Sequence, residues 1–128
     1  MPNKDSENAE KFRETVSTLF NKVTFENALK WKIHHYISGK NDYIASALDW
    51  LKEESLPVRG HCLIWPGWRK VPRDLYKHKH EPEKLRKELG NHIREFSAKW
   101  KDDFIEWDVI NEALSHNDFE DIFGKEIL

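Results

Sequence analysis

A single cysteine, Cys62, is all the thiol chemistry the sequence carries, so no internal disulfide can form and the redox compartment stays open. No apolar run is long enough to span a bilayer. Met1-Pro2-Asn3-Lys4-Asp5 at the start lacks the apolar core of a secretory leader. There is no excess of either charge: the net charge is -2 with both signs interspersed, which excludes a general attraction to nucleic acid or to an anionic membrane. Low-complexity segments and interdomain linkers are also missing. What is present is a polar chain, 34% charged with a mean hydropathy of -0.82. Its six Trp and seven Phe still supply enough apolar area for a core, and 128 residues suffice for one domain.

Periodicity predicts the elements. Ala9, Phe12, Val16, Leu19 and Phe20 recur at helical spacing after a cap at Asp5 or Ser6, giving a helix over about 6–20. A short strand follows from Lys22 to Phe25, then a loop over 32–43 holding His34 and His35 and ending in the turn residues Ser38-Gly39-Lys40-Asn41-Asp42. Asn41 or Asp42 caps a second helix, with Ile44, Leu48 and Leu51 inward. Val58 to Trp65 reads as a buried strand running into an aromatic loop. Residues 69–80 read as a basic loop, and 82–100 as a helix with Pro at its first turn and a stripe of Leu85, Leu89, Ile93, Phe96 and Trp100. Phe104 to Ile110 is the third strand, followed by a polar loop and the start of a helix using Phe119, Ile122, Phe123 and Ile127. Strands alternating with helices at this spacing form a parallel sheet with right-handed crossovers.

Three polar stretches then stand at successive strand ends. Glu26-Asn27-Ala28-Leu29-Lys30-Trp31 could be an ordinary salt-bridged turn, or a patch offering amides, charges and an aromatic face to a sugar. His61 could be a satisfied core group, while Gly60 beside it suggests close approach by another backbone or a ligand. Asn111-Glu112 could be a strand running out into solvent. In a barrel of parallel strands, that end is where catalytic groups sit. Three such clusters on one face of the sheet argue for function together, where each alone does not.

In order and spacing, Glu26-Asn27-Ala28-Leu29-Lys30-Trp31, Arg59-Gly60-His61-Cys62-Leu63-Ile64-Trp65 and Trp107-Asp108-Val109-Ile110-Asn111-Glu112 resemble glycoside hydrolase family 10, the β-1,4-xylanases. The resemblance covers roughly residues 12 to 124. It implies an α/β fold, a partial (β/α)8 TIM barrel of about three βα units, and retaining cleavage of xylan without cofactor or metal. By resemblance, Glu112 is the general acid/base and Asn111 holds the 2-hydroxyl of the sugar being cleaved. His61 touches that same sugar, and Glu26, Asn27 and Lys30 bind its neighbour. Trp31 and Trp65 wall the cleft. A tryptophan beside Glu112 would give the low-dielectric wall that a protonated carboxyl needs. The resemblance implies a secreted or periplasmic compartment.

Two departures stand out. Pro66 replaces a histidine found in many relatives, a mark of a subgroup. A full barrel needs about 250 residues, and nothing here resembles the first strand or the strand bearing the nucleophilic glutamate. The expectation is therefore a single partial catalytic domain over 1–128, with the nucleophile elsewhere. Its partners would be xylan or xylo-oligosaccharide, and the rest of the barrel or a second copy of the chain. Open sheet edges lead one to expect marginal stability and aggregation. A non-catalytic xylan-binding remnant is the alternative, and a metal-dependent hydrolase built on His78, His80 and His92 is a further one.

Overall fold

The structure is a computed structural model and describes residues 6–36, 39–116 and 118–124. Helix α1 (Glu7–Leu19) starts at Ser6, whose side chain accepts a hydrogen bond from the Ala9 N–H. Strand β1 is only Val23–Thr24. Helices α2 (Trp31–Tyr36) and α3 (Lys40–Glu53) lead to β2 (Val58–Ile64). A 3-10 turn, Arg73–His78, precedes α4 (Pro82–Lys99), β3 (Glu106–Ile110) and the short α5 (Glu120–Phe123). The three strands form one parallel sheet in the order β1-β2-β3.

The stripe on α4 packs as its spacing requires. Leu85, Leu89, Phe96 and Trp100 are buried, and Ile93 is partly so. Ile44, Leu48 and Leu51 bring α3 onto the same core. Four expectations fail for physical reasons. Residues 31–36 are helical rather than loop, because the turn signals begin only at Gly39. That glycine, at φ 74, also takes the N-cap position of α3 in place of Asn41 or Asp42. Part of the basic 69–80 loop is wound into the 3-10 turn. On α1 only Ala9 is buried, while Phe12, Leu19 and Phe20 are 46%, 71% and 57% exposed. The strand they lead into lies at the sheet's edge, so no neighbouring strand covers them. The same holds at the other edge, where Ile105 and Val109 are exposed. The positions proposed for Asp5, Ser38 and Ile127 lie outside the described residues.

Gly60 is tight for a reason the sequence did not suggest. It pairs with Trp107 across the β2–β3 ladder, and the approach comes from the Trp107 ring rather than from a backbone or ligand. Trp107 is in turn packed against Phe96 and Phe104.

His92 on α4 reports on the core's pH dependence. Its Nε2–H donates to the Leu63 carbonyl at 3.0 Å, and its ring is stacked at 3.9 Å on Trp31. Burial pushes its pKa down to about 4, against the opposing pull of that hydrogen bond. An unfolded histidine titrates near ~6.5. Between these values the unfolded chain binds a proton that the folded chain refuses, so stability falls as pH drops from about 6.5 to about 4. With the ring's partial exposure allowed for, the loss is on the order of 1–2 kcal/mol. Urea melts at neutral and acid pH are expected to show this loss in the native chain and not in His92→Gln. Parallel pH curves for the two would refute it.

Candidate active site

The C-terminal ends of the strands meet at one edge. After β1 the chain turns through Glu26 and Asn27, both exposed, to Lys30, whose Nζ donates to Asn27 Oδ1 at 2.9 Å. The Lys30 ammonium lies 4.8 Å from the centroid of Trp65, the residue that follows β2. Trp65 is edge-on to His116 at 5.3 Å between centroids, and His116 Nδ1 is 3.2 Å from Glu112 Oε2. A continuous line of contacts therefore runs from the β1 end, over β2, to Glu112 beyond β3. Asn111 is fixed by its backbone N–H, which donates to the Ile64 carbonyl at 2.9 Å.

Glu112 itself has φ 51. A non-glycine residue in the left-handed region costs on the order of 1–3 kcal/mol, and such strain persists where surrounding contacts impose it. Here the imposing contacts are visible. The Ser115 and His116 backbone N–H groups both donate to the Glu112 carbonyl. The following loop is clamped onto the β2 loop by the Trp68 N–H donating to Asp118 Oδ2 at 2.7 Å and by Trp68 packing against Phe119. Sequence reasoning misses His116. Its spacing of four from a candidate acid is the signal that could have found it.

His61 belongs to a charged ladder on the sheet face opposite Trp107. Its Nδ1 is 2.8 Å from Asp108 Oδ2, while Arg59 donates to Asp108 Oδ1. Burial would raise the Asp108 pKa, but the hydrogen bonds from Arg59 and His61 outweigh it and hold the carboxyl below its usual range. His61 is thus oriented by a carboxylate, with its side chain 20% exposed.

Trp31 is not brought to this edge. It lies against His92 on the helix side of the sheet, because α2 packs there instead of looping over the strand ends. The tryptophan wall expected beside Glu112 is also not formed. Trp107 faces the helices over Gly60, and the Glu112 side chain is 48% exposed. The histidines considered for a metal do not converge: His78 bonds Glu81 at 2.9 Å and His92 bonds Leu63. Among the described residues no group of three or more His, Cys, Asp or Glu is placed to hold an ion. No helix among them is long and apolar enough to cross a membrane.

The family model described as Glycosyl hydrolase family 10 matches residues 1–127. The chain belongs to glycosyl hydrolase family 10. A Beta-1,4-xylanase of Dictyoglomus thermophilum is 33% identical over an alignment 126 residues long that covers 85% of this chain and 33% of that protein. The chain thus spans about a third of that curated relative's length. Among solved structures, native xylanase 10B from Thermotoga maritima superposes with a TM-score of 0.72 at 28% identity, covering 85% of this chain and 34% of that one. A GH10 endoxylanase retrieved from a sugarcane soil metagenome superposes at 0.75, covering 95% of this chain and 38% of that one. At 19% identity the latter likeness shows the fold alone. The three parallel strands of this family-10 chain are part of a (β/α)8 barrel.

Proposed function

We propose that this family-10 chain forms part of the catalytic domain of a retaining endo-β-1,4-xylanase. In this reading Glu112 is the general acid/base, and the nucleophilic glutamate is contributed by polypeptide beyond these residues. The observation that carries it is the line Lys30–Trp65–His116–Glu112, which joins the C-terminal ends of the strands, where barrel enzymes place their chemistry. The relative from Dictyoglomus thermophilum, named a Beta-1,4-xylanase, supports the substrate class.

Retaining cleavage needs two carboxyl groups about 5–5.5 Å apart. The acid protonates the departing sugar's oxygen while the nucleophile takes the anomeric carbon, and the acid, now a base, then activates water against the covalent intermediate. Asn111 beside Glu112 is suited to the 2-hydroxyl, a contact that strengthens as the oxocarbenium-like transition state forms. His61, held by Asp108, and Glu26, Asn27 and Lys30 supply polar contacts to the same and the neighbouring sugar, with Trp65 as the aromatic wall. Trp31 has no such part, being stacked on His92. A polymeric substrate fits a secreted or periplasmic site of action.

The second reading is a xylan-binding remnant without turnover. Asp108, the carboxylate on the inner face of β3, is already held by both Arg59 and His61, which leaves it poorly placed to act as a nucleophile. Affinity electrophoresis in soluble β-1,4-xylan tests the binding part of both readings. The chain is expected to be retarded, and Asn27→Ala with Lys30→Met to lose most of that retardation. Free migration of the native chain would defeat both. Release of xylo-oligosaccharides by the full polypeptide separates the enzyme from the remnant.

A further inference from the structure

Four lysines among the described residues are held by a carboxylate. Lys11, Lys22, Lys52 and Lys84 are each ion-paired, with Glu7, Glu106, Asp103 and Glu81 respectively. Among the lysines without such a partner, Lys30 and Lys70 converge on one ring. Both are partly buried, and neither has a carboxylate at ion-pair distance among the described residues. Both instead crowd the Trp65 indole, Lys70 Nζ at 3.8 Å from the ring centroid and Lys30 Nζ at 4.8 Å. Lys30 otherwise donates only to the neutral amide of Asn27. Two ammonium groups that close to one centroid are less than a Debye length apart, about 10 Å at 0.1 M salt, so they repel. Contact with the indole face attracts each of them but does not cancel their charge. The carboxylates of the same edge contact other groups: Asp118 Oδ2 accepts from the Trp68 N–H, and Glu112 stands beside His116. The result is a pair of ammonium groups around an aromatic ring at the strand-end edge, neither of them ion-paired among the described residues.

We infer that Lys70, with Lys30, makes the Trp65 edge a binding site for a carboxylate-bearing sugar, a uronic acid unit carried on the xylan chain. A sugar ring needs an aromatic face and a carboxylate needs an ammonium, and this edge offers both. Each lysine can swing off the ring on its flexible stem to meet the anion and free the indole for the sugar's C–H surface. The inference rests on the xylan reading for the identity of the polymer, while the unpaired charge at this edge does not depend on it.

Isothermal titration tests it, with xylotriose and with xylotriose bearing one glucuronic acid as probes. The acidic probe is expected to bind about threefold to fivefold tighter at low salt, with that preference vanishing at high salt. Lys70→Met is expected to abolish the preference and Lys70→Arg to keep it. Equal binding of both probes by the native chain, a preference that survives in Lys70→Met, or no binding of either probe would overturn the inference. Binding of the acidic probe alone would uphold the anion site and count against the xylan reading. Binding of both without preference would do the reverse.

Discussion

Glu112→Gln is expected to lower kcat for xylan about 10²–10⁴-fold in the polypeptide that joins this chain to a nucleophile, with KM little changed. That is the contribution a positioned general acid usually makes. The amide keeps the size of the carboxyl and its contact to His116 but can neither give nor take the proton. The loss should depend on the leaving group. An aryl xyloside, whose departing phenoxide needs little protonation, should still form the covalent intermediate, so its first step should survive while the second slows. Glu112→Ala opens a space beside the anomeric carbon. Azide, a nucleophile that needs no base, should then restore turnover and give the β-xylosyl azide. An α-azide would show that Glu112 is the nucleophile instead, and undiminished xylan hydrolysis by Glu112→Gln would remove it from the chemistry. The 128-residue chain alone is expected to release no reducing sugar, since one carboxylate cannot be acid and nucleophile together.

How much can be read from the sequence depends on how local the signal is. The α4 stripe is a local pattern, and it packs as its spacing predicts. The ends of β2 and β3 are legible because each strand stops at a local break, Pro66-Gly67 after one and the polar pair Asn111-Glu112 after the other, and the structure brings Lys30, Trp65 and Glu112 into one line of contacts. Trp31 misleads because adjacency to Lys30 in sequence says nothing about side-chain direction. At the start of α2 the two neighbouring side chains diverge, the ammonium towards Trp65 and the indole towards His92. Lys70 escapes a sequence reading because its contact with Trp65, within one irregular loop, follows no helical or strand period, whereas the spacing of four between His116 and Glu112 is there to be read. The apolar face of α1 is a case of a correct pattern with too little to pack against: its spacing is helical, but Phe12 and Leu19 stay 46% and 71% exposed. The family's barrel explains why such faces exist, since its strands and helices are built to be flanked on both sides.

Gly60→Val is expected to leave the chain unfolded at about 37 °C, and Gly60→Ala to destabilise it by about 1–3 kcal/mol. A methyl group at this position would come within 2.5 Å of Trp107 Cδ2 and Cζ3. The ring cannot retreat easily, because Phe104 is 4.7 Å away and Phe96 5.9 Å away between centroids. Nor can β2 move outward, since it is bonded to β1 on one side and β3 on the other. Gly60 adopts no left-handed backbone, so Ala also gains a little, about 0.4–1 kcal/mol, by restricting the unfolded chain. The clash exceeds that gain. Valine adds two more methyl-sized groups to the same space, against a total stability that for whole domains is only about 5–15 kcal/mol. The decisive measurement is a double-mutant cycle by urea melts with Trp107→Leu. If the ring is the obstacle, Gly60→Ala should cost much less in the Trp107→Leu background than in the native one, giving a coupling on the order of 1 kcal/mol or more. Additive effects would mean that something other than Trp107 requires glycine at position 60. A native-like melt for Gly60→Ala alone would mean that the sheet is loose enough to yield there. It would then also be loose enough to let Asp108, next to Trp107 on β3, release His61.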